Sequence, residues 1–200
     1  MLKVRDIKLP GLAPISFELA AGECLGVSGE SGCGKTRLLR ALADMDEIEG
    51  SVCIDDVCKT DVSGAEWRKQ VALLPAESQW WFDSVAPHFA SEANLAALGF
   101  DDEVMHWQLS RCSSGEKQRL AVLRLLANRP KVLLLDEPTA NLDPENTRKV
   151  EALIAEYLAS NRAVAIWVSH NRAQLERVAT ERYFDFSSAD MVEIKQGVPS

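Results

Sequence analysis

The residues with the clearest chemical potential form a glycine-rich turn, GESGCGKT, at positions 29–36. The apolar run ECLGVS precedes it and RLLRALADM follows, so we expect a buried strand before the turn and a helix after it. Glycines let backbone N–H groups approach a phosphate chain, and the start of a helix adds positive potential there. The full match to G-x-x-x-x-G-K-[ST] predicts a site for a nucleoside triphosphate. We expect this nucleotide to contact Gly29, Glu30, Ser31, Gly32, Cys33, Gly34, Lys35, Thr36 and Arg37.

Two of these side chains have distinct tasks. Lys35 is expected to reach the β- and γ-phosphates, and the Thr36 hydroxyl to hold Mg²⁺. A second constellation ends the apolar run KVLLLDEP. Asp136 would close a buried strand, where a carboxylate can hold Mg²⁺ directly or through water. Glu137 follows it and is free to polarise an attacking water as general base. The alternative is that the two acidic residues only end a buried strand where it leaves the core. The presence of GESGCGKT in the same chain disfavours this alternative.

The pattern along the chain alternates between strands and helices. LKVRDIKL, ISFEL and SVCIDDV have strand character, and the turn LAAGE suggests a hairpin-like layer of ISFEL and ECLGVS. VALLP, KVLLLDEP and AVAIWVSH indicate buried strands, and helical spacing marks residues 84–107. Amphipathic helices are predicted for GEKQRLAVLRLLANRP and NTRKVEALIAEYLASN. Such βα units predict a parallel sheet with helices on both faces.

Composition narrows the class of protein. Two hundred residues, 46% of them hydrophobic, suit one substantial domain. The net charge of 22 − 30 = −8 argues against nucleic acid as a partner. Because no apolar run approaches a membrane span or a signal peptide, we expect a cytoplasmic protein. The five cysteines form no C-x-x-C pair, so we expect reduced thiols rather than zinc ligands or disulfides.

Five motifs, spread over nearly the whole chain, resemble those of the ATP-binding subunit of ATP-binding cassette (ABC) transporters and follow the family's order along the sequence. GESGCGKT resembles the Walker A motif and VLLLDEP the Walker B motif with its catalytic glutamate, Glu137. SSGEKQR at 113–119 resembles the signature, NLD at 141–143 the D-loop, and VSH, ending at His170, the switch histidine. Within the family, the run from GEKQRLAVL to AVAIWVSHN is most similar to small stand-alone subunits of putative iron-export systems.

The resemblance implies an α/β fold with a P-loop NTPase core of the ABC type. It implies a mostly parallel sheet, an N-terminal antiparallel β layer, and a short helical subdomain at about 77–125 inside a single domain, 1–200. It also implies ATP and Mg²⁺ as cofactors, and a head-to-tail dimer with a second copy or a related cassette. A separate transmembrane permease would hold the protein at the inner face of the cell membrane.

The family also suggests roles for residues that no local pattern explains. Ser113 and the Gly115 amide would contact the γ-phosphate of the partner cassette's ATP, and Asp143 would link the two sites. His170 would hydrogen-bond the γ-phosphate and position water beside Glu137. The resemblance therefore implies Glu137 and His170 as catalytic residues, and Thr36 and Asp136 as metal ligands.

The chain departs from the family pattern at several positions. The signature begins CSSGE rather than LSGGQ, and a side chain at Ser114 is expected to crowd a close backbone contact. The usual glutamine after VALLP is Ala76, so Glu77 or Gln79 could substitute only if the loop shifts. The turn KLPGLAPI also lacks the aromatic residue that usually stacks on adenine, and Leu9 or Leu12 would supply only apolar contact.

Two other classes of protein remain as alternatives. One is a soluble ABC ATPase without a transport role, for example in iron–sulfur cluster assembly. The other is a different P-loop enzyme, either a kinase or a GTPase. The chain lacks the N-K-x-D motif of GTPases, and neither of these enzymes explains SSGEKQR.

Overall fold

The computed structural model describes residues 1–90, 92–180, 182–186 and 190–193. The helices and strands in chain order are β1 (Leu2–Ile7), β2 (Ile15–Leu19), β3 (Cys24–Ser28), α1 (Lys35–Leu42), β4 (Ser51–Ile54), β5 (Val57–Cys58), α2 (Gly64–Gln70), β6 (Val71–Leu74), α3 (Ser114–Ala127), β7 (Val132–Asp136), α4 (Pro144–Asn161), β8 (Val164–Val168), α5 (Arg172–Val178), β9 (Arg182–Asp185) and β10 (Asp190–Glu193).

The described strands form two sheets. The smaller sheet is antiparallel with strand order β2-β1-β4-β5, and the larger has the order β10-β9-β3-β8-β7-β6. In the larger sheet, all neighbouring strands from β9 to β6 run parallel, and only β10 is antiparallel to its neighbour. The predicted α/β fold, with a mostly parallel sheet and an N-terminal antiparallel layer, is confirmed.

The larger sheet is covered on both faces. Along β8, Val164, Ile166 and Val168 belong to one hydrophobic cluster, and Ala165 and Trp167 belong to another. Successive side chains of a strand point to opposite faces, so the two clusters lie on opposite sides of the sheet. The first contains residues of α1 and of the small sheet, and the second contains residues of α3 and α4. Burial on both faces explains the continuous apolar runs in the sequence.

Helix α1 packs in the same hydrophobic cluster as the small sheet. Leu38, Leu39 and Leu42 are buried, as their spacing predicts. Trp67 of α2 is also fully buried, and its indole N–H donates to the Leu42 carbonyl at 2.9 Å. Because carbonyls at a helix end lack partners within the helix, this bond completes the end of α1. The helix that follows the GESGCGKT turn is therefore held at its far end.

The N-terminal layer differs from the prediction in its connections. β2 pairs with β1 and not with β3, so ISFEL and ECLGVS lie in different sheets. The predicted strand SVCIDDV turns at Asp55, where φ is 53°, and β5 folds back on β4. This hairpin sets Cys53 opposite Cys58, and the two form a disulfide. The expectation of reduced thiols, which rested on the lack of a C-x-x-C pair, is wrong for this pair, because the turn at Asp55 brings the two cysteines together across the hairpin. Cys24, Cys33 and Cys112 are free.

The described residues among 84–107 form single helical turns rather than the helix that their spacing suggests. Helical structure restarts repeatedly, because the side chains of Asn94 and Asp101 cap new turns and Gly99 ends one in the left-handed region. The described 3₁₀ helices in this part are Ala86–His88, Leu95–Leu98, Asp102–His106 and Leu109–Arg111. The first long helix after β6 is α3. The extent of the subdomain, about 77–125, stays a prediction.

Among the residues that the structure describes, no helix combines the length and the apolar character needed to cross a bilayer.

Candidate nucleotide-binding site

The phosphate loop, residues 29–36, connects β3 to α1. Gly29 has a φ of 142°, and a Cβ there would lie 2.8 Å from the Cβ of Phe186 and 2.9 Å from the Cys33 Sγ. Both the backbone angle and the contacts therefore require glycine. Gly34 is the N-cap residue of α1, and the first N–H groups of a helix have no partner within it. These donors and the helix dipole favour a bound anion at this end of α1.

Lys35 is buried within the phosphate loop. Its ammonium group donates to the carbonyls of Gly29 at 2.8 Å and Glu30 at 2.7 Å, and the Cys33 Sγ lies 3.7 Å away. An ammonium group has three donors and rotates about a flexible stem, so it can bridge the loop and a phosphate oxygen. Lys35 therefore both holds the loop in shape and brings positive charge to the site.

Thr36 and Asp136 meet although one hundred positions separate them. The Thr36 hydroxyl donates to Asp136 Oδ2 at 2.7 Å, and Asp136 is buried at the end of β7. The carboxyl ends of parallel strands open at the same edge of the sheet, where the phosphate loop also begins. Hydroxyl and carboxylate oxygens are the hard ligands that Mg²⁺ prefers, so this pair fits the metal that the sequence predicts.

Glu137 lies beside this pair in an unusual backbone conformation. Its φ is 49°, which is uncommon for a residue other than glycine, and strain of this kind concentrates at functional sites. The backbone N–H of Glu137 donates to the Val168 carbonyl at 3.1 Å, which fixes the turn. Its Oε1 accepts from the backbone N–H of His170 at 2.9 Å and lies 3.6 Å from His170 Nε2.

The surroundings of Glu137 shift the pKa of its carboxyl group. Burial raises the pKa of Glu137, while the charge of His170 and the hydrogen bond from its backbone act in the opposite direction. A general base works best when its pKa lies near the operating pH, so a raised value suits a carboxylate that must take a proton from water.

One cavity of about 740 Å³ joins these groups. Its volume lies within the usual range of small-molecule sites, roughly 300–1,000 Å³. The lining residues are Leu9, Pro10, Ser31, Gly32, Cys33, Gly34, Lys35, Thr36, Arg37, Arg40, Asp46, Ala76, Asp136, Glu137 and His170. Gly29 and Glu30 are not among the lining residues, and their carbonyls accept hydrogen bonds from Lys35. A second cavity, of about 570 Å³ between α4 and α5, contains none of the predicted site residues.

The signature segment, residues 113–119, and the D-loop do not line this cavity. Ser113 caps α3, accepting from the Glu116 N–H at 3.2 Å, while the Ser113 N–H and hydroxyl both donate to Glu116 Oε2 at 2.8 Å. A Cβ at Gly115 would lie 3.1 Å from the Asn141 carbonyl, so the two segments pack closely. Asp143 caps α4 by accepting from the Asn146 N–H at 2.9 Å. The structure thus brings Ser113, Gly115 and Asp143 near one another on a separate surface.

The structure also bears on the departures from the family pattern. Ala76 lines the cavity, whereas Glu77 and Gln79 are exposed outside it. Ser114 is exposed, and the close contact with the Asn141 carbonyl is made at Gly115. Leu12 packs against the hydrophobic core, so the apolar wall of the cavity comes from Leu9 and Pro10 instead.

A buried polar network that the sequence did not predict supports the strand ends around Glu137. Gln174 of α5 donates to Thr139 Oγ1 at 2.8 Å and to Glu151 Oε1 at 2.9 Å, and it accepts from the Ser169 hydroxyl at 2.9 Å. Such a network fixes the segments on both sides of Glu137 and His170. Sequence patterns could not identify it, because a polar residue on an amphipathic helix is normally expected to face solvent.

Another unpredicted contact ties the signature helix to the catalytic loop. Gln118, buried in α3, donates to the Pro138 carbonyl at 3.1 Å. Since Pro138 follows Glu137 directly, the helix that begins at the signature segment is bonded to the loop that holds the predicted base.

Comparisons with known proteins agree with this geometry. The family model described as "ABC transporter" matches residues 12–140. The chain is 30% identical over 207 residues to the lipoprotein-releasing system ATP-binding protein LolD of Maricaulis maris, covering 86% of each protein. It is 34% identical over 185 residues to the protein STAR1 of Oryza sativa subsp. japonica, where the match covers 84% of this chain. The chain spans only about half of STAR1, 53% of its length.

A solved structure shares the fold over almost the whole chain. It is a dimeric structure of a post-hydrolysis state of the ATP-binding cassette MJ0796, bound to ADP and Pi. The TM-score is 0.79 at 20% sequence identity, with 98% of this chain and 100% of that chain covered. With the family model matching well over half of the residues, the chain belongs to the ABC transporter family and is an ABC-type ATPase domain.

Proposed function

We propose that this chain hydrolyses ATP to ADP and phosphate in a head-to-tail pair of cassettes, and that it thereby powers transport through a separate membrane protein. The observation that supports the chemistry is the arrangement of one cavity. Lys35, the Thr36–Asp136 pair and Glu137 all face the same space at the carboxyl ends of the parallel strands. Few other reactions need a phosphate loop, a Mg²⁺ site and a half-buried base together.

Each group has a defined part in the reaction. Lys35 and the free N–H groups of α1 bind the β- and γ-phosphates. Thr36 and Asp136 would hold Mg²⁺, which neutralises phosphate charge when bound. The Glu137 carboxylate accepts a proton from the water that attacks the γ-phosphorus, and ADP leaves with the β-phosphate oxygen. His170 would hydrogen-bond the γ-phosphate beside that water.

The dimer follows from the residues that lie outside the cavity. Ser113 and Gly115 stand at the N-terminal end of α3, where N–H groups and the helix dipole favour an anion. In the part of the chain that the structure describes, Ser113 and Gly115 do not line the nucleotide cavity, so they would not contact the γ-phosphate of a nucleotide bound there. A second copy arranged head to tail would bring its ATP to this surface. The Ser113 hydroxyl would then exchange Glu116 for the phosphate.

The dimer can be tested with a variant that binds ATP without hydrolysing it. Glu137→Gln with Mg²⁺ and ATP should sediment as a dimer, and as a monomer with ADP. The matched control is Glu137→Gln combined with Lys35→Ala, which should stay monomeric because it lacks the phosphate contact. A monomer of Glu137→Gln at saturating ATP would contradict the head-to-tail arrangement.

The transport role is supported by an exposed patch as well as by the family. The patch consists of Trp81, Phe82 and Met45, which are 74%, 55% and 50% exposed. The N–H groups of Trp81 and Phe82 donate to His88 Nε2 at 2.9 and 3.1 Å, and both rings lie against the imidazole. Rings that are held in place and still face solvent are typical of a protein interface. We propose that an apolar cytoplasmic segment of the permease binds here.

Cell fractionation distinguishes transport from a soluble role such as iron–sulfur cluster assembly. In its own host, the chain should sediment with membranes, and Trp81→Ser with Phe82→Ser should release it to the soluble fraction. Val57→Ser is a suitable control, since Val57 is 41% exposed on the edge strand β5 and lies outside the patch. If the unmodified chain stays wholly soluble, the soluble ATPase becomes the better account. The similarity to iron-export subunits stays a proposal, because the transported substrate would contact the permease.

A further inference from the structure

The nucleotide cavity continues beyond the phosphate loop into a region that no motif describes. Leu9, Pro10, Arg40 and Asp46 line this part. Among the described lining residues there is no Phe, Tyr or Trp. A base that reaches this region must therefore find another surface on which to stack.

Arg40 and Asp46 form a flat surface of the required kind. The Arg40 Nε–H donates to Asp46 Oδ2 at 2.9 Å, and Nη2 donates to Oδ1 at 2.8 Å. Two parallel bonds of this type hold a guanidinium and a carboxylate in one plane. Both side chains remain partly exposed, with 43% and 31% of their surfaces accessible. A guanidinium plane stacks well on aromatic rings, and an ammonium group offers no such plane.

The position of this pair matches the length of a nucleotide. Arg40 follows Lys35 by five residues on α1, which corresponds to about 7.5 Å along the helix axis. An α-phosphate and a ribose lie between the β-phosphate and the base, and this interval gives them room. Leu9 and Asp46 belong to neighbouring segments, because the Lys8 N–H donates to the Glu49 carbonyl at 3.3 Å and so joins the chain before Leu9 to the chain after Asp46.

We propose that the base of the nucleotide stacks on the planar Arg40–Asp46 ion pair, which takes the place of an aromatic residue. The proposal rests on the nucleotide site proposed above and adds the contact that the base makes. Stacking uses the face of the base and not its edge, so adenine and guanine are held alike. The smaller pyrimidine ring covers less of the surface and is held more weakly.

The experiment compares nucleotides with inorganic tripolyphosphate, which has the phosphates and no base. Dissociation constants are measured for the unmodified protein and for Arg40→Lys, which keeps the charge and loses the plane. Arg40→Lys should weaken ATP and GTP about tenfold, and leave tripolyphosphate unchanged. Arg5→Lys is the matched control, because Arg5 forms an ion pair with Glu18 outside the cavity and this substitution also keeps the charge. It should bind all three ligands as the unmodified protein does.

Three results would overturn the proposal. Unchanged ATP affinity in Arg40→Lys would mean that the base does not contact Arg40. Equal weakening of ATP and tripolyphosphate would show that Arg40 contacts the phosphates instead. If the unmodified protein bound neither ATP nor tripolyphosphate, the proposed phosphate site itself would be wrong. The first two results differ from this one, because they leave the phosphate site intact.

Discussion

The phosphate end and the base end of the cavity contrast in how their residues are brought together. At the phosphate end, one short loop supplies Lys35 and Thr36, and the neighbouring strand β7 delivers Asp136 within 2.7 Å. At the base end, Pro10 comes from the turn after β1, and Arg40 and Asp46 come from α1 and the segment behind it. The phosphate end depends on backbone geometry, whereas the base end depends on side chains alone.

This difference indicates where the binding energy should come from. The phosphate end offers an ammonium group, unpaired N–H groups and a helix dipole, all of which act on charge. The base end offers two small apolar side chains and an ion pair that is already satisfied by its own partner. We therefore expect the phosphates to dominate affinity and the identity of the base to matter little.

The largest expected effect comes from Glu137, the proposed base of the hydrolysis reaction. Glu137→Gln should lower kcat about 100-fold or more, because the amide cannot take a proton from water. ATP affinity should stay close to that of the unmodified protein, since neither end of the cavity loses a binding group. Steady-state hydrolysis together with an ATP titration checks both statements. Normal turnover in this variant would remove Glu137 from the mechanism.

Loss of the phosphate contact should have the next largest effect. Lys35→Ala removes the proposed charge-assisted bond to the β- and γ-phosphates, and ATP should bind about tenfold more weakly or worse. A titration by calorimetry or fluorescence measures this directly, with Arg5→Ala as a control for loss of a distant cation. Unchanged affinity would indicate that the base end of the cavity supplies most of the binding energy, whereas we expect most of it to come from the phosphate end.

The pH dependence of hydrolysis should reflect the raised pKa of Glu137. Its pKa is raised above the ordinary value of 4.5, mainly by burial, and a base acts only when it is deprotonated. Activity should therefore be full above the raised pKa and fall as the pH drops through it, at a higher pH than for an exposed carboxylate. His170→Ala removes an interaction that lowers this pKa, so the acid limb should move to higher pH still. A profile of kcat against pH tests both expectations, with circular dichroism as a check on folding. An acid limb below pH 4.5 in the unmodified protein would contradict the raised pKa of Glu137.

The sequence predicted the phosphate end well and the base end poorly, for a physical reason. A loop with fixed glycines dictates its own conformation, and apolar strands buried on both faces must place their carboxyl ends together. The contacts of Gln174 and the Arg40–Asp46 pair depend on tertiary packing, which leaves no periodic signal. The Cys53–Cys58 disulfide was missed for the same reason, because it required the position of one turn at Asp55.

The smallest expected difference is also the most direct test of the contrast between the two ends. Side-by-side titrations of ATP and GTP against the unmodified protein, in Mg²⁺ and at one ionic strength, compare ligands that differ only in the base. If the phosphates dominate and the base is held by its face, the two dissociation constants should agree within about tenfold, or about 1.4 kcal/mol. A strong preference for ATP would contradict the account, because it would require an adenine-specific contact at the base end of the cavity.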